Sequence, residues 1–344
     1  MIIQDFVVID NSIWYTERNY AALFRYDMDQ KIIYMEVRLP SAALNEELQY
    51  GTIVKYEDFL VIYPIFAKNI VVFNFKTHDI YKYDIPLSTE NNEFFGKFDA
   101  GEFSIALCKG RPLIAFFDGF SFSFVELKNN RTKDWCSGFN CAKLNDVLYV
   151  PRVNNKSITL INIKDKKVQD EWLTGESIFA CYDYKGDLIL VPTYGNKIKR
   201  IETKRNTTVH VYVVSMDEVF KKDEILFMCS VLLGDKLYIF STRNGKMLCV
   251  NLCSGEVNPI KRKGNNKGNQ CYYSRIARVE NKIWILNRES NRLDIVDCLT
   301  DSINGYVDVE GKICVPKTEK ICINTREILY ENEVIYLTKW IDNI

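Results

Sequence analysis

The chain has 344 residues, with 45 Lys and Arg against 45 Asp and Glu, so its formal net charge is zero. That balance gives no global attraction to nucleic acid or to an anionic membrane, and 47% apolar with 26% charged residues excludes an intrinsically disordered chain. No apolar run reaches the roughly 18–20 residues of a spanning helix, and the opening MIIQDFVVID lacks the basic start and unbroken apolar stretch of a signal peptide. A cytoplasmic protein is predicted, with neither nucleic acid nor a membrane as partner.

Twenty Tyr, twenty Phe and many Val and Ile in short alternating runs predict strands. Taken in chain order, one phrase recurs: a turn dipeptide, a spacer and an apolar run. It reads DNSIWY from Asp10, EDFLVIY from Glu57, GRPLIAF from Gly110 and NDVLYVP from Asn145. It continues as GDLILVP from Gly186, GDKLYIF from Gly234, ENKIWIL from Glu280 and EGKICVP from Glu310. Asn, Asp and Gly tolerate positive φ, which suits tight hairpins. The first core positions, Ile13, Leu60, Leu113, Leu148, Ile189, Leu237, Ile283 and Ile313, are 47, 53, 35, 41, 48, 46 and 30 residues apart.

A second phrase follows each copy, an apolar strand ending in Asn or Asp before a polar turn. VVFNFKT from Val71, TLINIKD from Thr159, LCVNLCS from Leu248 and DIVDCLT from Asp294 are its clearest forms. Another short strand precedes each first phrase, as in FACYDY, and a fourth follows, as in TVHVYVV. Each unit is therefore predicted to be a four-stranded antiparallel meander of roughly 40–50 residues, the size of a propeller blade.

On these phrases the chain resembles β-propellers of kelch-like and quinoprotein-like repeat style. The resemblance implies an all-β, single-domain propeller over residues 1–344, with seven or eight blades and six as a further alternative. It implies nothing about activity. Two interruptions stand out: SMDEVFKKDEI from Ser215, which carries a helix-capping pattern, and the basic loop KRKGNNKGNQ from Lys261.

In such propellers ligands bind near the central axis, among the second-to-third-strand turns and the blade-to-blade connections. The predicted turns carry Arg18, Asp118, Arg152, Tyr194, Arg243, Arg288, Glu289 and Lys317, and the connections add Phe95, Phe139, Phe179 and Tyr273 among other aromatics. Arginine pairs bidentately with carboxylate or phosphate, and aromatic faces stack on sugars. The expected function is a non-catalytic binding or scaffold propeller that takes a small anionic or saccharide ligand, or a protein partner, at this face. The alternative is a glycoside hydrolase or lyase using Glu17, Asp118 and Glu289.

No phosphate loop, nucleophile elbow or His-Glu-x-x-His helix occurs, so no cofactor is expected. Only His78 and His210 offer imidazole, and the eleven cysteines show no ligand spacing, so no metal is expected. Most cysteines are predicted to be buried free thiols, with Cys249 and Cys253 on one strand face.

Overall fold

The structure is a computed structural model that describes residues 1–41, 46–86, 92–109, 113–127, 138–153, 156–214, 227–241, 246–262 and 273–314. Among these residues there is no helix, and the strands form seven blades. Blade 1 comprises β1 (Ile3–Ile9), β2 (Ser12–Glu17), β3 (Ala22–Asp27) and β4 (Ile32–Arg38). Blade 2 comprises β5 (Tyr50–Tyr56), β6 (Phe59–Pro64), β7 (Asn69–Asn74) and β8 (Ile80–Asp84). Blade 3 comprises β9 (Phe94–Asp99), β10 (Ser104–Cys108), β11 (Leu113–Phe117) and β12 (Phe122–Glu126). Blade 4 comprises β13 (Ala142–Leu144), β14 (Val147–Arg152), β15 (Ser157–Asn162) and β16 (Lys167–Leu173).

Blade 5 comprises β17 (Ile178–Tyr184), β18 (Asp187–Pro192), β19 (Lys197–Glu202) and β20 (Thr207–Val213). Blade 6 comprises β21 (Phe227–Leu233), β22 (Lys236–Ser241), β23 (Met247–Asn251) and β24 (Val257–Pro259), after which β25 (Lys261–Arg262) leads onward. Blade 7 comprises β26 (Tyr273–Val279), β27 (Lys282–Asn287), β28 (Arg292–Asp297) and β29 (Ser302–Asp308), and β30 (Lys312–Cys314) is the last described strand. Neighbouring strands within every blade are antiparallel and follow chain order. By contact the chain divides into two compact units, Met1–Glu93 with Val309–Ile344, and Phe94–Asp308.

The recurring phrases have physical causes. At the first turn Asp10, Glu57, Asn145, Lys185, Gly234 and Glu280 all adopt positive φ, between 50° and 58°, which matches the twist of a tight hairpin. The Asn or Asp that closes a third strand folds back as an Asx turn. The side chains of Asp27, Asn74 and Asn251 each accept two backbone N–H groups from the following residues, at 2.9–3.0 Å. Within each unit apolar cores lie between consecutive blades. Leu188, Leu190 and Ile201 of blade 5 pack against Tyr149, Ile158 and Leu160 of blade 4, while its other face, with Ile189, Val191 and Ile198, meets Leu237, Ile239 and Val250 of blade 6. A buried Leu or Ile contributes about 1.5–3 kcal/mol, so alternation within its strands binds blade 5 to blades 4 and 6.

Two of the eight phrases are corrected. GRPLIAF is the third strand of blade 3, because β10 (SIALC) occupies the second place and pairs with both β9 and β11. Re-phasing on Ile105 replaces the irregular spacings by 45 residues from Leu60 and 43 to Leu148. EGKICVP starts no eighth blade: β30 adds in parallel to the outer strand β4, Lys312 beside Ile32 and Cys314 beside Tyr34. β25 likewise adds in parallel to β29. These two additions make the only five-stranded sheets among the described residues.

The helix expected from Ser215 and most of the basic loop after Lys261 lie outside the described residues. Cys108, Cys141, Cys181, Cys229, Cys249 and Cys298 are buried free thiols, and burial pushes Cys249 up to about 11. Cys253 sits exposed in the turn after β23, so it does not share a strand face with Cys249.

Candidate functional site

An antiparallel blade has two ends. One carries the first-to-second and third-to-fourth turns; the other carries the second-to-third turn and the connections to neighbouring blades. The connection end of the Phe94–Asp308 unit has the distinctive chemistry. There the first strands of blades 3, 5, 6 and 7 are bulged at one common place, with register shifts between Leu107 and Cys108 opposite β9, Ile178 and Ala180, Phe227 and Cys229, and Tyr273 and Arg275. A bulge re-aims the side chain at the extra position. In blades 3 and 5 the residues at these irregularities are Phe95 and Phe179.

Phe95, Phe139 and Phe179 form an aromatic cluster. Phe139 and Phe179 stack with centroids 5.9 Å apart and planes 10° apart, and Phe95 meets them edge-on at 6.0 and 6.4 Å. The stack requires close backbones. Phe139 N–H donates to the Phe179 carbonyl at 2.6 Å, and Cys181 N–H donates to the Asn140 carbonyl at 3.1 Å. Gly138 makes this approach feasible, since a Cβ there would collide with the Phe179 carbonyl and stand 2.5 Å from Pro151 Cγ.

Arg275 reaches this cluster from blade 7, 180 residues away in sequence from Phe95. Its guanidinium carbon lies 4.3 Å from the Phe95 ring centroid, and one terminal nitrogen donates to the Phe95 carbonyl at 2.8 Å. The residue is 5% exposed, its Nε has no hydrogen-bond partner, and no carboxylate among the described residues pairs with it. The nearby carboxylate of Asp294 is already engaged by Tyr273 Oη at 2.8 Å and Arg292 Nε at 3.0 Å. Two further cations share this end. Lys109 Nζ lies 5.8 Å from the Phe95 ring, and Arg288 Nε donates to Ser274 Oγ, next in sequence to Arg275, at 2.6 Å. Cation–π contact and one carbonyl leave much of a buried guanidinium's lost hydration unreplaced.

The residues expected from sequence are distributed differently. Arg288 stands at the second-to-third turn of blade 7, against the first strand. Arg152 points the other way, along its own blade, where it pairs with Glu171 of β16 at 2.9 Å, with Ser157 Oγ also donating to Glu171 at 2.5 Å. Neither residue is brought to the other. Asp118 is corrected to the β11–β12 turn, at the opposite end of its blade, because GRPLIAF is a third strand. Burial works against its ionisation, but N–H groups of Ser121 and Phe120 outweigh that and hold its carboxyl below the ordinary value. Glu289 and Tyr194 are exposed, and Arg18 is exposed in blade 1. Arg243 and Lys317 lie outside the described residues.

Glu17 is buried, and burial raises its carboxyl above the ordinary value, but its oxygens accept N–H groups of Ile2 and Asn19. Among the described residues no group of His, Cys, Asp and Glu is arranged to hold a metal.

Arg275 is the residue that sequence reasoning missed. Its signal was its place: the position after the bulge is Gly96 in blade 3, Ala180 in blade 5 and Cys229 in blade 6, all small, whereas blade 7 has an arginine.

No family model matches the chain, and no curated protein matches it. Solved structures do. Virginiamycin B lyase from Staphylococcus aureus matches with a TM-score of 0.63 at 15% identity, covering 83% of this chain and 92% of that one. BamB from Moraxella catarrhalis matches at 0.55 and 11%, covering 88% and 87%. The Pan2 WD40 domain of Neurospora crassa matches at 0.53 and 10%, covering 74% and 78%. At these identities the likeness establishes the fold, a seven-bladed β-propeller, and leaves activity to the site.

Proposed function

We propose that this propeller is a non-catalytic binding protein that takes a small anionic ligand, such as an acidic saccharide, at the connection end of the Phe94–Asp308 unit. The reading rests on Arg275, a buried guanidinium without a carboxylate partner among the described residues, set on an aromatic ring with Lys109 on the same ring. A carboxylate or phosphate there would supply the charge-assisted hydrogen bonds that the described residues leave unmade at Arg275 Nε. Phe95, only partly buried, offers a stacking surface for a sugar beside that charge.

The test is isothermal titration with a uronic acid, a sugar nucleotide and an acidic tripeptide, using the intact chain and an Arg275→Gln variant. One of these anions should bind the intact chain, with Arg275→Gln weakening it by about 1.5–3 kcal/mol, as for a hydrogen bond to a charged group, and added salt weakening it further. Equal affinity in the two proteins would remove Arg275 from the site and defeat the proposal.

A further inference from the structure

The fourth strands share an irregularity of their own. Pairing with the third strand skips one residue in blades 1, 4, 5 and 7, and the residues left over are Glu36, Gln169, Val209 and Asn304. A bulge leaves its extra residue out of the ladder and bends the strand there. The first three are followed by Val37, Asp170 and His210, but Asn304 is followed by Gly305. Ile295 lies opposite Gly305 and Val296 opposite Ile303, so the Asn304–Gly305 peptide bond sits at the break in the ladder. Asn304 is exposed, and a Cβ at Gly305 would meet nothing within 4 Å. The other Asn–Gly pair in the sequence, Asn244–Gly245, lies outside the described residues.

The side-chain amide of Asn304 is held at both ends. Its Nδ2 donates to Oδ2 of Asp297, the last residue of β28, at 2.6 Å, and its Oδ1 accepts from Ser302 Oγ at 2.9 Å. Ser302 has one hydroxyl proton, so Thr300 Oγ1 donates in its 2.8 Å contact with Ser302 Oγ. Thr300, Ser302, Asn304 and Asp297 thus form one chain of hydrogen bonds that ties β29 to β28 beside the bulge. The Ser302 hydroxyl also draws electron density from Cγ of Asn304, and it is placed to stabilise negative charge on Oδ1 when a nucleophile adds there. The next backbone nitrogen belongs to a glycine, whose lack of a Cβ leaves its peptide free to turn toward Cγ.

We infer that Asn304 is a modification site, deamidated spontaneously in the folded chain, and that the reaction cuts the tie between β29 and β28. The Gly305 backbone nitrogen attacks Cγ of Asn304 and closes a five-membered imide. The Cγ–Nδ2 bond breaks, and the Gly305 amide proton leaves with Nδ2 as ammonia. Water then adds to either imide carbonyl and opens the ring, giving aspartate or, with the main chain diverted through the side chain, isoaspartate. One water is consumed and one ammonia released, with no oxidant or reductant. Aspartate lacks the donor that Asp297 accepts and sets a second carboxylate against it, and like charges so close repel. Isoaspartate also lengthens the backbone at the bulge by one carbon. Either product loosens the strand beside Ser302 and Ile303, the two residues that carry β25.

The experiment is peptide mass mapping of the intact chain during incubation at body temperature and mildly alkaline pH. The peptide containing Asn304 should gain the mass of amide-to-acid conversion and separate into aspartyl and isoaspartyl forms. The peptide containing Asn206, exposed in the β19–β20 turn and followed by Thr207, should stay unchanged. A free peptide of residues 302–307 gives the rate without the fold. The folded chain should convert within about a hundredfold of it, because a route through a rare unfolded state would be at least about a thousandfold slower. Gly305→Ala, which the open space admits, should slow conversion at least about tenfold. Asn304→Asp should make amides of β28 and β29 exchange hydrogen faster than in the intact chain. The inference is overturned if the folded chain lags the free peptide by more than that hundredfold, or if Asn206 converts as fast as Asn304. It is overturned equally if Gly305→Ala converts at the parent rate, or if Asn304→Asp leaves exchange unchanged.

Discussion

Gly138→Ala tests the close approach on which the aromatic cluster depends. The added Cβ would stand 2.5 Å from Pro151 Cγ and 3.1 Å from the Phe179 carbonyl carbon, and would collide with the carbonyl oxygen itself. Ordinary contact needs about 3.5 Å, so the first strands of blades 4 and 5 must part by about 1 Å, because neither backbone nor a proline ring can rotate away. The same parting would stretch the Phe139–Phe179 hydrogen bond from its present 2.6 Å to about 3.6 Å, beyond the range of a hydrogen bond. Overpacking of this kind costs about 1–3 kcal/mol and each lost backbone bond about 0.5–1.5 kcal/mol, which gives a total near 2–4 kcal/mol. Urea unfolding measures it, with Gly305→Ala as the matched control, since a Cβ at Gly305 meets nothing within 4 Å. If Gly138→Ala stays within about 0.5 kcal/mol of the parent, the two strands are not packed as described and the ring stack loses its explanation.

Two further outcomes follow from buried groups. Glu17 has its carboxyl raised by burial above 4.5, so the folded chain holds that proton to higher pH than the unfolded chain. Its contribution to stability must therefore fall as pH rises from about 4.5 through the raised value, and Glu17→Gln should flatten that fall in urea midpoints measured across pH 4–7. In the absence of denaturant a thiol reagent should label Cys253 quickly, while Cys141, Cys181 and Cys229 should react only on unfolding. Fast labelling of those three would contradict their burial.

The turn and strand phrases were legible because they are local. Positive φ at Asn145 or Glu280, and the Asx turns after Asn74 or Asn251, depend on residues only a few places apart. What a strand pairs with is not local. LIAFF and KIC carry the same apolar alternation as the second strands, yet one is a third strand and the other a fifth, because a two-residue period fixes which side chains are buried and not which neighbour is bonded. The arginines failed for a similar reason. A one-residue offset at a strand end turns a side chain to the other face, so Arg152 runs to Glu171 while Arg288 meets Ser274. Arg275 gains its meaning from a bulge and from Phe95 on a distant blade, neither of which its own neighbours in sequence encode.

The pairing of β30 with β4 also bears on how the chain is made. Ile32–Tyr34 receives its last partner from Lys312–Cys314, 280 residues further along. At about 5–20 residues per second, a ribosome needs tens of seconds to deliver that segment after blade 1 has emerged. Throughout that time the nascent chain presents the β4 edge with unpaired N–H and C=O groups, a template for pairing with other chains. Tyr34 and Arg25, whose guanidinium lies 4.4 Å from the Tyr34 ring and pairs with Glu36 at 2.6 Å, put charge beside that edge from the outset. Charge there opposes aggregation while the edge waits, and β30 then closes it as a late, long-range step of folding.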